Sequence, residues 1–324
     1  MPLTILYPSD VAHAVDLHGG ADGTEYKAGG TDVVDRHHQG ILAPRTLVDL
    51  GRLGVLRGVE QRGDGWRIGA LTTLLEVAGH EGLGREHPVL RQACDRTATP
   101  QVRAMATLGG SLRQKVRCPY FRHPDFTCWR KGGQECFARP GDNHWHAIWD
   151  NDTCAAVHPS TPAAALLALD AQLDVHFPGG DQRTVDMRAF TTFDVSDAMA
   201  DDALPDAALV LGVRIPRPAR PTRQAYERAS ARHLADWADV ETAVVLQMDG
   251  DVVADARVVL GAVARRPRRA VEVEQRLNGH RLDAAVIADA SAHAADGATP
   301  LPHNGHKTRL ACNTVQATLE RLTS

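Results

Sequence analysis

Two rhythms of hydrophobic and polar positions divide the chain. Apolar runs of strand density fill "ETAVVLQMDG" (241–250) and "DVVADARVVLGAV" (251–263), and the turn Asp249-Gly250-Asp251 between them predicts a hairpin. Apolar residues three and four apart predict helices over "VEVEQRLNGH", "LDAAVIADASAHA" and "KTRLACNTVQATLERL". Nearer the N-terminus, "EYKAGGTDVVDRHHQGILAPRTLVDL" (25–50) reads as a strand, a Gly29-Gly30 turn, a helix starting near Asp32, and a second strand after Pro44. "WRIGALTTLLEVAGH" (66–80) gives a strand and a short helix capped by Thr72 or Thr73. "HPVLRQACDRTATPQVRAMATLGGSL" (87–112) gives a helix, a turn at Pro100 and a second turn at Gly109-Gly110. "HPSTPAAALLALDAQLDVHF" (158–177) is an Ala/Leu-rich helix running into a strand. A strand in "ALVLGVRIPRPARPTRQAYERA" (208–229) breaks into a Pro/Arg-rich crossing, the best domain boundary in the chain. The class is α+β: two N-terminal subdomains of about one mixed sheet each, then a strand–helix layer.

Composition narrows the function classes. With 324 residues, 43% of them hydrophobic, the chain has enough apolar content for two or three packed cores. No run approaches the roughly 18 apolar residues of a membrane helix, so no membrane span is expected. "MPLTILYPSD" lacks the basic and apolar regions of a secretory signal, which points to the cytoplasm. A net charge of −4 argues against nucleic acid as a partner. The densest basic run, Arg265, Arg266, Arg268 and Arg269, is expected to be a solvated turn.

One stretch obeys neither rhythm. "RCPYFRHPDFTCWRKGGQECFARPGDNHWHAIWDNDTC" (117–154) holds four of the six cysteines and three of the five tryptophans. A chain of this size with no mark of secretion needs no disulfide staples, which leaves metal ligands or reduced core residues. Cys118, Cys128, Cys136 and Cys154 are separated by nine, seven and seventeen residues, wider than the close pairs of structural zinc knuckles. Cys94 and Cys312 fall in helices and are assigned to packing. The sixteen histidines are too scattered to define a ligand set, so His37, His38, His123, His144 and His146 stay unassigned.

Two Gly-Gly turns suggest an anion. Glycines let backbone amides converge without an obstructing side chain, and "AGGTD" (28–32) and "LGGSL" (108–112) each add a hydroxyl residue, Thr31 or Ser111. Neither fits a P-loop or a Rossmann fingerprint. Taken singly, each also reads as an ordinary tight turn.

In order along the chain, "KAGGTD", "QVRAMATLGGSL", "HPSTPAAALLALDA", "VRIPRP", "YERASARHLADWADV" and "LPHNGHKTRLA" resemble the flavin-binding subunits of the molybdenum hydroxylases, the xanthine dehydrogenase and aldehyde oxidoreductase family. The resemblance covers nearly the whole chain. It implies a vanillyl-alcohol-oxidase-type FAD fold in two α+β subdomains, 1–54 and 55–214, the second carrying the cysteine loop 111–157. Residues 215–324 would be a C-terminal domain of the CO-dehydrogenase flavoprotein type. It implies that both glycine turns grip the FAD pyrophosphate, through Ala28, Gly29, Gly30, Thr31 and Asp32 from the first and Thr107, Gly109, Gly110 and Ser111 from the second. Lys27, Arg103, His158, Ser160, Thr161 and Arg228 take further cofactor-side positions. Thr161 stands where relatives have an acidic residue near the ribose, and Arg228 where they carry a lysine near the flavin.

The cysteine stretch looks like that of bacterial three-subunit aldehyde oxidoreductases, whose FAD subunit also holds a [4Fe–4S] cluster. That likeness implies Cys118, Cys128, Cys136 and Cys154 as iron ligands, matching the usual four thiolates. Arg117, Arg122, Arg130 and Lys131 would offset cluster charge or stay solvated. Trp129, Trp145 and Trp149 would shield the cluster or pack the loop. No residue set suits a substrate-converting site, so no catalytic residue is assigned and a redox relay is expected. The partners implied are a large molybdenum-cofactor subunit and a small [2Fe–2S] subunit; export as a passenger of a signal-bearing partner would place the chain in the periplasm. A free-standing FAD oxidoreductase and a zinc-loop module remain the alternatives.

Overall fold

Three sheets organise the chain, each with its own core. The computed structural model describes residues 3–231 and 236–323, so residues 232–235 of the "YERASARHLADWADV" stretch lie outside the described residues. The first sheet holds β1 (Thr4–Leu6), β2 (Thr24–Lys27) and β3 (Thr46–Asp49) in the order β1-β3-β2. It is parallel throughout, with Thr46 opposite both Thr4 and Thr24, and is not mixed as expected. The cause is connectivity, because a helix lies between each pair of successive strands and returns the chain in the same direction. Helix Val11–His18 is capped by Asp10, which accepts from the His13 amide at 2.9 Å. Helix Val33–His38 starts directly after Asp32.

The second sheet runs β4 (Val59–Arg62), β5 (Gly65–Gly69), β6 (Gln172–His176), β7 (Gln182–Asp186) and β8 (Leu209–Pro216) in the order β4-β5-β8-β6-β7. Every pairing is antiparallel, so this sheet is not mixed either. Some hundred residues are inserted between β5 and β6, and they carry the chemistry. Thr73 caps the helix that starts the insertion and forms a reciprocal capping box with Glu76. Pro100 does not turn the chain but opens helix Pro100–Met105 behind the cap Thr99. Proline suits the first helical position, where its missing N–H has no partner to lose. Gly109-Gly110 likewise lies inside a short helix, Leu108–Leu112, because Thr107 caps it.

The third sheet has β9 (Thr222–Ala229), β10 (Val240–Asp249), β11 (Val252–Gly261) and β12 (Arg268–Arg269), antiparallel in the order β12-β11-β10-β9. Gly250, at φ +57°, serves the tight turn between β10 and β11. Helices Val271–Leu277, Ala284–Ala292 and His306–Glu320 complete this layer. Helix Thr161–Ala168 is apolar all round and wholly buried, and it packs on β10 and β11 from the side of the second subdomain. β10 is therefore covered on both faces, which explains its unbroken apolar run.

Arg265 is not solvated: it is buried and donates to the carbonyls of Val195, Asp197, Ala198 and Ala200. Cys94 is fully buried in helix Pro88–Asp95, as packing requires, and Cys312 is partly buried in the last helix. No helix among the described residues is long and apolar enough to cross a membrane.

Candidate functional site

A cleft of about 610 Å³ opens between the first two subdomains, a size usual for a ligand the bulk of a cofactor. Both glycine turns line it, through Ala28, Gly29, Gly30, Thr31 and Asp32 on one side and Thr107, Gly109 and Gly110 on the other. Their contact demands glycine. A Cβ on Gly29 would lie 1.8 Å from the Met105 carbonyl oxygen, and one on Gly109 would lie 2.8 Å from the Ala70 Cβ. Gly30 adds a φ of +80° that L side chains rarely adopt.

The two turns offer different chemistry. Among the described residues nothing accepts from the amides of Gly29, Gly30 or Thr31, which leaves them as free donors in a turn that lines the cleft. The second turn spends its amides internally: Gly109 donates to Ala70 at 2.9 Å, Gly110 to Thr107 Oγ1 at 3.2 Å and Ser111 to Thr107 at 2.8 Å. It contributes a floor without side chains, together with the Thr107 hydroxyl proton. An anion here takes its backbone hydrogen bonds from the first turn.

Asp32 lines the cleft, but its carboxylate is committed. It accepts from Arg122 Nη2 at 2.7 Å and Arg36 Nε at 3.0 Å, with Arg117 Nη2 at 3.4 Å. Burial alone would raise its pKa; the charges of Arg36, Arg122 and Arg117 outweigh that and hold it below the usual value. Arg117 and Arg122 flank Cys118, so this carboxylate joins the first glycine turn to the cysteine loop. Those two arginines, with Arg130 on Asp201 at 2.6 Å, are thus paired with carboxylates rather than left as free counter-charge for the loop. Lys131 donates to the His123 carbonyl and also lines the cleft.

The remaining expected positions do not line the cleft, although Lys27 sits beside Gly30 at its edge. Ser111 and Ser160, from separate motifs, meet at 3.0 Å in a buried hydroxyl pair. His158 is buried, which pushes its pKa down to about 4, and its Nδ1 accepts from the Ser160 amide at 3.3 Å. Its own amide donates to Ala264 at 2.8 Å, which ties this stretch to the end of the C-terminal sheet. Thr161 donates to Glu241 at 2.6 Å. Arg228, opposite Glu241 in the β9–β10 register, donates to the carbonyls of Arg96 and Asp236. Lys27 pairs with Asp49 at 2.8 Å, and Arg103 holds the carbonyls of Thr97 and Ala98. None of these lines the cleft; Ser111 stands next to Gly110 of the second turn. Sequence reasoning missed the cleft residues His18, Tyr26, Arg36, Arg113 and Lys115, which carry no local motif.

All four loop cysteines line one small cavity, together with Tyr120, Phe121, Trp129, Arg130, Phe137, Ala138 and Ala156. Gly133 permits the tight turn there, since a Cβ would lie 1.8 Å from the Thr127 carbonyl oxygen. Tyr120, Phe126 and Phe137 pack ring against ring beside it. Of the three tryptophans in this loop Trp149 is buried, and Trp129 and Trp145 are exposed. Burial pushes the Cys118 thiol up to about 12, against the Phe121 and Tyr120 amides that favour the thiolate. His146 Nε2 lies 3.2 Å from Cys118 Sγ. Four thiols around one cavity are the usual donor set of an iron–sulfur cluster, whereas no three of their sulfurs gather within the 4.8 Å that a single zinc ion would need. Phe121 and Arg130 line this cavity and the cleft alike, so the two share a wall.

A family model described as the FAD binding domain in molybdopterin dehydrogenase matches residues 1–218, and one described as the CO dehydrogenase flavoprotein C-terminal domain matches residues 224–321. The FAD-binding subunit PaoB of an Escherichia coli K12 aldehyde oxidoreductase is 31% identical, over 92% of this chain and 91% of that one. The carbon monoxide dehydrogenase medium chain of Afipia carboxidovorans is 28% identical, over 91% and 87%. A solved carbon monoxide dehydrogenase from Hydrogenophaga pseudoflava superposes with a TM-score of 0.77 at 24% identity, covering 99% of this chain and 97% of that one.

Proposed function

The chain belongs to the FAD-binding subunits of the molybdenum hydroxylases, a family of oxidoreductase subunits, and from that premise we propose that it is the FAD- and [4Fe–4S]-containing electron-transfer subunit of a molybdenum-dependent aldehyde oxidoreductase. The observation that carries this reading is the wall shared by the glycine-turn cleft and the four-cysteine cavity. When bound, the flavin exchanges electrons singly or in pairs and the cluster exchanges them singly, which suits a relay between a partner's metal centres and an outside acceptor.

The chain's own residues bind and insulate. The free amides of Gly29, Gly30 and Thr31 and the Thr107 hydroxyl receive the pyrophosphate, while Gly109 and Gly110 let it approach the backbone. Asp32 fixes the first turn through its three arginines and adds no free anionic oxygen beside the phosphates. Cys118, Cys128, Cys136 and Cys154 hold the cluster, and Phe121 with Arg130 closes the space between the sites. A large molybdenum-cofactor subunit and a small [2Fe–2S] subunit complete the proposed complex. The protein works in the cytoplasm, or in the periplasm if a partner carries the export signal.

Anaerobic purification with flavin, iron and acid-labile sulfide assayed on one sample tests this. About four iron and four sulfide per FAD support it, and Cys128→Ser loses the iron while keeping the flavin. Flavin without iron moves a free-standing flavoprotein ahead. Zinc in place of iron assigns the loop to a structural metal.

A further inference from the structure

Outside both cavities, three metal-type donors converge among the described residues. His144 comes from the cysteine loop, Asp239 precedes β10 by one residue, and His306 is the first residue of helix His306–Glu320. Each presents one ring nitrogen or carboxylate oxygen, and these atoms lie within 4.8 Å of one another. The two imidazoles stack at 4.2 Å between ring centres. His306 Nε2 and Asp239 Oδ1 are buried, and neither has a hydrogen-bond partner among the described residues. Asp239 is 4% exposed, and its amide donates to Ala229 at 2.8 Å, which fixes its backbone against β9.

The neighbours do not fill the gap. Lys307, fully buried beside His306, spends its ammonium on the carbonyls of Trp145, His146 and Ala262 at 3.3, 2.9 and 2.7 Å. Asn304 donates to His146 and Ala147, and the His303 amide donates to Asn143. These bonds hold the cysteine loop and the last helix in register around the three donors. A buried polar atom left unpaired costs about 1–3 kcal/mol, and here two such atoms belong to one cluster of three metal-type donors.

We propose that His144, Asp239 and His306 form a site for a divalent transition metal of the zinc class, joining the cysteine loop to the C-terminal domain. Two imidazoles and one carboxylate suit zinc, and suit magnesium or calcium poorly. Three protein ligands leave a position for water, which the partial exposure of both histidines permits. Donors about 2.1 Å from a tetrahedral ion stand roughly 3.4 Å apart, so the imidazoles must swing inward from their present spacing. None of its donors is a cysteine, although His144 stands on the cysteine loop.

The test is Zn2+ titrated into the complex as purified, with its iron and flavin in place, after a mild chelator wash. Zinc per chain is counted by mass spectrometry and thermal melting is followed alongside. About one tightly held zinc per chain and a raised melting temperature are expected. Asp239→Asn, His306→Gln and His144→Gln should each weaken zinc binding at least about tenfold with iron and flavin unchanged. His144→Gln lies on the loop surface and keeps the test open if the buried Asp239→Asn fails to fold. Undiminished zinc binding in the histidine variants would overturn the proposal. So would Co2+ giving a thiolate charge-transfer band, which places the metal on cysteine, or no zinc uptake at all.

Discussion

Replacing Asp32 with asparagine tests whether the first glycine turn and the cysteine loop are one electrostatic unit. The carboxylate meets Arg122, Arg36 and Arg117 at 2.7, 3.0 and 3.4 Å, and the Arg36 and Arg122 side chains are only 8% exposed. Removing one partner of a buried pair costs about 3–5 kcal/mol. Here each guanidinium keeps another carboxylate: Glu25 for Arg36 at 3.0 Å, and Asp35 for Arg117 and Arg122 at 2.8 and 3.3 Å. Roughly half the loss should remain, about 2 kcal/mol, which for a chain of this size lowers the melting temperature by roughly 3 °C. Asp35→Asn should cost less than about 1 kcal/mol, since its side chain is 38% exposed.

The pH dependence is the sharper readout. Asp32 is held below its unfolded value of 3.8, so its contribution is complete above that value and disappears as pH falls through the folded pKa. The gap between wild type and variant should be flat from about pH 8 to 5 and close below about pH 4. Thermal melts across that range, with limited trypsin cleavage of residues 117–139, measure it. A melting shift below about 1 °C, or a gap that persists unchanged at acid pH, would refute the coupling.

Gly29→Ala places a Cβ against the Met105 carbonyl and must part the walls of the cleft; it should lose most of its flavin on isolation, at about 1–3 kcal/mol in stability, whereas Gly54→Ala, with open space around it, should keep both. Gly133→Ala strains the turn after Cys128, so on the proposed cluster assignment the iron content should fall with flavin retained, by metal assay. Ser160→Ala removes half of the Ser111 hydroxyl pair, which should cost about 1 kcal/mol in a denaturant melt.

What the sequence made legible was local. Thr73 with Glu76, the turn at Gly250 and the apolar helix Thr161–Ala168 each announce themselves within a few residues, because caps, turns and periodicity are short-range physics. The glycine turns were legible as a pair only through their resemblance to a family, since their mutual contact through Gly29 and Met105 spans some seventy-six residues. Pro100 and Gly109-Gly110 misled because turn residues also suit the first positions of a helix, and there the caps Thr99 and Thr107 decide. The mixed sheets misled because strand direction depends on how connections cross, which a strand's own residues do not record.

Charge was the least legible layer, for a reason the Asp32 cluster makes concrete. A run of arginines reads as solvated or as counter-charge because sequence shows each cation and hides its partner. Asp32 lies more than eighty residues from Arg117 and Arg122, and Arg265 spends its guanidinium on carbonyls some seventy residues back. Arg117 and Arg122, paired with Asp32 and Asp35, are no free counter-charge for the cysteine cavity and fix its position relative to the cleft, whereas Arg265, held by neutral carbonyls, keeps its charge and favours the Cys154 thiolate. Arg130 does both, bound to Asp201 while lining the wall between the cavities and lying close enough to Cys154 to oppose its burial. A pair of redox groups separated by that wall would depend on its rigidity more than on its charge, so a change in Asp32 or Asp201 should disturb the spacing of the two sites before it disturbs the affinity of either.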